Sequence, residues 1–168
     1  MNAFHHIEAF RIETQTWTVA FSKEGLAHLW FPSQCPLKHI PNPDSLSSKY
    51  TCLWGSVTRS WLRAYLLGQS PNPAMLPPLD LSQGSVFQRS VWTALLSIPY
   101  GTTKSYAAIA GEVGRPRAVR ALGAACGANP IPIIVPCHRV VTSHRGIGGF
   151  SAGLSWKSRL LALEKVRL

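Results

Sequence analysis

Cys137 and His138 stand side by side behind Pro136, at the close of the run "NPIPIIVPCHRVV" from Asn129 to Val141. A thiol next to an imidazole is the raw material of a sulfur nucleophile, with the ring as the base that takes its proton. At ordinary pKa values near 8.5 and 6.5, moving that proton is uphill by roughly 2 units, or ~2.7 kcal/mol. A carboxylate beside the imidazole offsets this by favouring its charged form. Only Glu112 and Glu164 are available in the second half of the chain. Glu164 follows Leu161 and Leu160 by three and four residues, which sets it on the border of the last helix's apolar face. Glu112 sits between Gly111 and Gly114 at an exposed helix end. Glu164 is therefore the expected partner of His138.

The surrounding elements must bring these three together. The β-branched run before Cys137 reads as a buried strand. Neighbouring strand residues face opposite sides, so His138 reaches the sulfur only through a water or through a turn that begins at the cysteine. Upstream, "SVFQRSVWTALLSIP" opens with a capping box, Ser85 and Gln88, and is helical as far as Pro99. "GTTKSYAAIAGEVGRPRAVRALGAACGANP" reads as helix, tight turn, helix. Ser105 caps the first, Gly114 ends it, and Pro116 takes the first position of the second. The second helix presents Ala121, Gly123 and Ala124, with Arg120 as its main long side chain. Major-groove readout wants Asn, Gln, Arg or Lys along such a face. A face this smooth suits either tight helix packing or entry into a narrow minor groove, where sequence is poorly encoded.

Charge separates the chain into halves. Six bases face five acids up to Gly84, whereas eleven face two from Ser85 onward, Arg115, Arg117 and Arg120 among them. The second half is that of a polyanion binder. The proline-rich "GQSPNPAMLPPLDLSQG" lies at the break, and the expected division is a domain over 1–70, a linker over 71–84 and a second domain over 85–168. In the first half, "FRIETQTWTVAFSKEGLAHLWF" alternates in two runs about "SKEG" and predicts a hairpin. "SVTRSWLRAYLLG" predicts a helix with Val57, Trp61, Leu62 and Tyr65 on one face and Gly68 as its stop.

Several classes are excluded or disfavoured. No apolar run approaches a membrane span, and "MNAFHHIEAFRIE" is too polar for a secretory signal. Four cysteines are too few for a disulfide scaffold, which favours a reducing, intracellular setting. His5, His6, His28, His39, Cys35 and Cys52 follow no zinc spacing.

"PCHRV", preceded by "GANPIPIIV" and joined by "SYAAIA", "RAVRALGAACGANP", "GGFSAGL" and "LLALE", resembles the O6-alkylguanine-DNA alkyltransferases from about Phe87 to the C-terminus. The resemblance implies an α/β N-terminal domain of ribonuclease-H-like topology and a mainly α C-terminal domain with a helix-turn-helix. It implies a monomer that binds duplex DNA through the minor groove with little regard to sequence, flips an alkylated guanine and takes the alkyl group irreversibly. O4-alkylthymine is a possible second substrate. It further implies Cys137 as acceptor, His138 as base through water, Glu164 orienting the ring and Tyr106 as proton donor to the leaving guanine. Arg120 would fill the gap left by the base, with Arg115 and Arg117 also toward DNA. Asn129 would brace the turn, with Pro136 and Arg139 structural, and Val140 and Ser151 would contact the base. No metal or cofactor is implied. The compartment would be cytoplasmic in a bacterium or archaeon and nuclear in a eukaryote. The chain departs from the family at Phe150, often Tyr, and at Ala152, often Gly, both on the loop covering the pocket. Two other classes remain open: a DNA-binding regulator with an incidental cysteine, and a thiol hydrolase that turns over an ester repeatedly.

Overall fold

The structure is a computed structural model that describes residues 4, 6–36, 53–144 and 146–168. His5, His39 and Cys52 lie outside the described residues. The chain divides into two compact units, residues 1–80 and 81–168. Among the described residues, no helix is long and apolar enough to cross a membrane.

The N-terminal unit is a three-stranded antiparallel sheet, β1 (His6–Ile12), β2 (Gln15–Phe21) and β3 (Leu26–Trp30), joined by the helix α1 (Leu53–Leu66). The hairpin expected about "SKEG" is the β2–β3 pair, but the first run is itself two strands. They turn at Glu13, whose φ of 53° occurs at a residue that lacks the usual glycine or asparagine signal. β2 is buried at consecutive positions from Trp17 to Phe21, so both of its faces are covered. Trp61, Leu62 and Tyr65 of α1 are buried as expected, Val57 is half-buried, and the helix starts earlier, at Leu53. Gly55 is required there, because a Cβ would stand 1.7 Å from Glu8 Oε2.

The proline-rich segment is not loose as far as Asp80. Leu26 donates to the Pro78 carbonyl at 2.8 Å, and Asp80 donates back to Leu26 at 2.8 Å, adding a short parallel bridge to β3. Gly25 permits it, since a Cβ at its φ of 149° would lie 2.0 Å from the Pro78 oxygen.

The C-terminal unit is mainly helical: α2 (Val86–Leu96), α3 (Tyr106–Glu112), α4 (Val119–Gly127) and α5 (Leu154–Leu163). The two-residue strands β4 (Lys104–Ser105) and β5 (Val140–Val141) pair in parallel. The capping box is formed, with Gln88 N–H donating to Ser85 Oγ at 3.2 Å and Ser85 N–H to Gln88 Oε1 at 2.8 Å. Such a cap is worth ~1 kcal/mol. Val91, Leu95, Ile98, Ile109 and Leu122 form the core between these helices, and Trp92 Nε1 donates to the Ala125 carbonyl at 2.8 Å. Val86, the first residue of α2, is 77% exposed.

Two local expectations are corrected. Pro116 is not in the second helix: Arg115 to Ala118 form a turn closed by Ala118 N–H to the Arg115 carbonyl at 2.8 Å, and α4 begins at Val119. Arg117 thus belongs to the turn and Arg120 to the first helical turn. The stretch before Cys137 is not a strand either. Val135 N–H closes on the Ile131 carbonyl at 2.9 Å, with Ile133 at a φ of 75° between them. Prolines at 130, 132 and 136 remove the donors a ladder needs. The side chain of Asn129 supplies the missing bonds, donating to the Val135 carbonyl at 2.7 Å and accepting from Ile131 N–H at 3.0 Å.

Candidate active site

A turn does begin at the cysteine. Cys137–Arg139 is a 3-10 turn in which Arg139 N–H donates to the Pro136 carbonyl at 3.0 Å, so Cys137 and His138 do not alternate across a strand. Both are buried, at 3% and 0% exposure. Asn129 Nδ2 also donates to Cys137 Sγ at 3.2 Å.

Glu164, at the end of α5, is the expected carboxylate. Its Oε1 lies 2.8 Å from His138 Nε2, with both side chains fully buried. A carboxylate accepts only, so Nε2 carries the proton and the lone pair of Nδ1 is the basic site of the neutral ring. Glu164 is itself held firmly. Arg139 Nη2 donates to Oε1 and Nε to Oε2, each at 2.9 Å, and Gly101 N–H donates to Oε2 at 2.9 Å. Arg139 Nη1 donates to the Ile98 carbonyl at 2.6 Å, and its guanidinium lies over the Tyr100 ring. Arg139, which the sequence reading grouped with structural pocket residues, is thus the second partner of the key carboxylate. Glu112 is elsewhere, paired with Lys104 at 2.7 Å on the surface.

Burial pushes the Cys137 thiol up, against the opposing pull of the Asn129 hydrogen bond and the Lys157 charge. Burial pulls His138 down, against the opposing effect of Glu164. At neutral pH the resting pair is therefore thiol and neutral imidazole. A buried pair of this kind ionises by moving one proton from sulfur to ring, with Glu164 stabilising the imidazolium that results.

Cys137 opens into a cavity of about 550 Å³ that Tyr106, Arg120, Gly123, Phe150 and Ser151 also line. Tyr106 begins α3, behind the Ser105 cap, and its hydroxyl points to the Gly149 carbonyl at 3.4 Å. Burial, then the charges of Cys126 and Cys137, push its pKa up to about 12, so the hydroxyl keeps its proton at neutral pH. Arg120 reaches the cavity from an exposed position on α4. Ala121 and Ala124 are exposed beside it, and Arg115 and Arg117 in the preceding turn are exposed too. A Cβ on Gly123 or Gly127 would meet nothing within 4 Å. The small residues therefore do not serve tight packing inside the unit, and the smooth face is outward. Val140 is buried in β5 and Ala152 is buried in the loop, neither lining the cavity.

Lys157 and Cys126 were not anticipated. Lys157 on α5 is wholly buried and donates to the Val140 carbonyl at 2.6 Å and the Gly149 carbonyl at 3.1 Å, beneath the Tyr106 ring. Its spacing offers a signal: Lys157, Leu160, Leu161 and Glu164 fall at i, i+3, i+4 and i+7 of one helical face. Cys126 lines the same cavity as Cys137. Among the described residues, no three His, Cys, Asp or Glu side chains gather as a metal site.

The chain is 46% identical over 153 residues to a methylated-DNA–protein-cysteine methyltransferase of Methanosarcina barkeri, covering 89% of this chain and 90% of that relative. The chain belongs to the 6-O-methylguanine DNA methyltransferase family. The family's DNA-binding domain model matches residues 86–166. That span holds the thiol, the imidazole, the carboxylate and Arg120, and it is where the sequence resemblance to alkylguanine alkyltransferases lay. Other members match over less of their length. A Mycobacterium bovis methyltransferase is 54% identical over 106 residues, 63% of this chain and 62% of its own. An inducible Bacillus subtilis methyltransferase is 48% identical over 101 residues, 60% of this chain and 55% of its own. The matched stretch thus spans little more than half of these curated relatives. In solved structures the family likeness extends to both units. The Mycobacterium tuberculosis OGT crystallised in complex with DNA is 38% identical, with a TM-score of 0.79 over 95% of this chain and 92% of that one.

Proposed function

We propose that this protein repairs DNA by transferring the alkyl group of O6-alkylguanine to Cys137, once per molecule. The observation that carries the reading is a buried thiol facing a cavity, backed by an imidazole that a buried, doubly anchored carboxylate orients. The Cys137 proton passes through a water to His138 Nδ1, and Glu164 stabilises the imidazolium. The thiolate attacks the alkyl carbon, the S–C bond forms, and the bond from that carbon to O6 breaks. Tyr106 donates a proton to the guanine ring as it leaves. No step releases the group from sulfur, because a thioether has no leaving group comparable to a thioester's. Phe150 walls the cavity near the carbon in transit, and the buried methyl of Ala152 stiffens the loop next to it.

Duplex DNA is the partner. The eleven-to-two excess of bases over acids after Gly84, the outward small-residue face of α4 and the DNA complex of the mycobacterial relative support this. We read α3, its turn and α4 as a helix-turn-helix that enters the minor groove, where a smooth face fits and sequence matters little. Arg120 replaces the flipped guanine in the stack, Arg115 and Arg117 hold phosphates, and Val140 and Ser151 offer backbone contacts to the extruded base. The N-terminal unit is read as ribonuclease-H-like, the protein as a monomer, and its setting as intracellular.

Mass analysis after mixing with duplex DNA that carries O6-methylguanine tests the core of this reading. The Cys137 peptide gains one methyl group, at no more than one per protein. Cys137→Ser binds the DNA and takes nothing. A label on Cys126 or Cys52 instead would overturn the assignment.

A further inference from the structure

Cys126 is a buried nucleophile for which the proposed reaction has no use. It sits on α4 at 7% exposure, and it opens into the same cavity as Cys137. One residue connects the two: Asn129 N–H donates to the Cys126 carbonyl at 3.3 Å, and its side-chain amide donates to Cys137 Sγ at 3.2 Å. The Lys157 charge favours ionisation of both thiols, and the charge of either holds the Tyr106 proton more tightly. Burial first, and the Cys137 charge second, push the Cys126 thiol up to about 12. Cys126 is therefore protonated at neutral pH, and no imidazole is described beside it to take that proton.

A protonated thiol that lines the same cavity as a reactive one has a different use. We propose that Cys126 is a resolving thiol, which captures Cys137 as an intramolecular disulfide when a small hydroperoxide enters the cavity. The regulatory meaning rests on Cys137 being the alkyl acceptor, as proposed above. In the first step the Cys137 thiolate attacks the outer peroxide oxygen. An S–O bond forms, the O–O bond breaks, and the alcohol, or water from hydrogen peroxide, departs. In the second step the Cys126 sulfur attacks the sulfenic sulfur. The S–S bond forms, the S–O bond breaks, and the Cys126 proton leaves with the hydroxide as water. Two thiols lose two electrons and the hydroperoxide gains them.

The high pKa of Cys126 slows the second step in proportion to its small thiolate fraction. An intramolecular attack offsets this once the two sulfurs meet, since well-placed groups reach effective molarities of roughly 10⁵ M or more. The benefit is chemical. A sulfenic acid left alone is oxidised on to a sulfinic acid that ordinary thiols do not reduce, whereas a disulfide is restored by thiol exchange. An acceptor that works only once would then be lost to peroxide without having met its substrate. The disulfide holds it in reserve.

The test uses the full-length protein and hydrogen peroxide. The reduced protein is first assayed for methyl uptake from O6-methylguanine DNA, then oxidised, denatured with a thiol-blocking reagent and digested. The expected product is a peptide linking Cys126 to Cys137, lighter by two hydrogens, with methyl uptake abolished and then regained on adding dithiothreitol. Cys126→Ser is expected to lose uptake to peroxide and to regain less than about a tenth of its own starting value, with Cys137 found as sulfinic acid. Absence of the linked peptide from the parent protein, or equal recovery in Cys126→Ser, overturns the inference. Linked peptide from reduced protein that never accepted a methyl group overturns the alkyl-transfer reading and its regulation, and leaves only the thiol pairing.

Discussion

Asn129 Nδ2 stands 3.2 Å from Cys137 Sγ and 2.7 Å from the Val135 carbonyl. One amide group therefore shapes the buried turn before Cys137 and also donates to its sulfur. Its oxygen completes the brace by taking the Ile131 N–H at 3.0 Å.

Asn129→Ala leaves the buried Ile131 N–H without its partner, at a cost of ~1–3 kcal/mol, and takes one donor from the Val135 carbonyl, which keeps the Cys137 N–H. Thermal melting is expected to fall accordingly. Asn129→Asp separates the two roles, because it keeps an acceptor for Ile131 while turning a negative oxygen toward the sulfur. Its pH–rate profile for methyl transfer is expected to move to higher pH, since a neighbouring negative charge disfavours the thiolate. An unmoved profile in Asn129→Asp would reduce Asn129 to a structural brace.

Glu164→Gln removes the charge that stabilises the His138 imidazolium. Burial already holds the Cys137 thiol up and the His138 ring down, so the neutral pair dominates at pH 7. The sign follows: the variant is slowed most near neutrality, and the deficit narrows as rising pH lets the thiol ionise without the relay. Breaking the buried pair with Arg139 also costs ~3–5 kcal/mol in stability, so rates are compared on protein shown folded by circular dichroism. A deficit constant across pH would remove Glu164 from the proton path.

Arg120→Ala distinguishes flipping from chemistry. Arg120 lines the cavity from the outward face of α4 and touches neither Glu164 nor the Asn129 brace in any bond described above. Transfer from duplex DNA is expected to fall by more than about tenfold, the equivalent of ~1.4 kcal/mol. Transfer from free O6-alkylguanine, which is in no stack, is expected to stay within about threefold of the parent. Equal losses on both substrates would make Arg120 structural.

Much of this site was legible because its signals are local. Ser85 with Gln88, and Ser105 before Tyr106, are caps whose partners lie three residues on. Glu164 was found by its spacing from Leu160 and Leu161. What escaped detection depends on contacts far apart in sequence. The β-branched run before Cys137 looks like a strand, yet its backbone is satisfied by one side chain, Asn129, and periodicity carries no trace of that. Pro116 fits the first position of a helix by preference, but the Arg115–Ala118 turn delays α4 by three residues. Arg139 follows His138 in sequence, and only the 3-10 turn brings both to the same carboxylate. Lys157 was not singled out, because a charge on a core-facing stripe looks like an edge position.

That buried lysine gives the last test. Lys157 donates to the Val140 and Gly149 carbonyls, and burial pulls its pKa down while the charges of Cys137 and Cys126 pull it back up. The carbonyls supply dipoles but no opposing charge, and the two sulfurs favour its charged form only when they ionise. A lysine with a depressed folded-state pKa costs stability at every pH below its folded value, and the cost fades as pH rises toward the unfolded value. Lys157→Met fills the slot with a chain of similar length and no charge, so the melting free energy is expected to stay within ~2 kcal/mol of the parent despite two lost hydrogen bonds. Methyl transfer responds in the opposite sense. Without the cation the Cys137 thiolate loses one of the influences that lower its pKa, and the rate near pH 7 is expected to drop at least about tenfold. The drop shrinks toward alkaline pH, where the thiol ionises unaided. A variant that melts like the parent and transfers like the parent at every pH would show that Lys157 only ties β5 to the loop at Gly149, and that the sulfur does not need its charge.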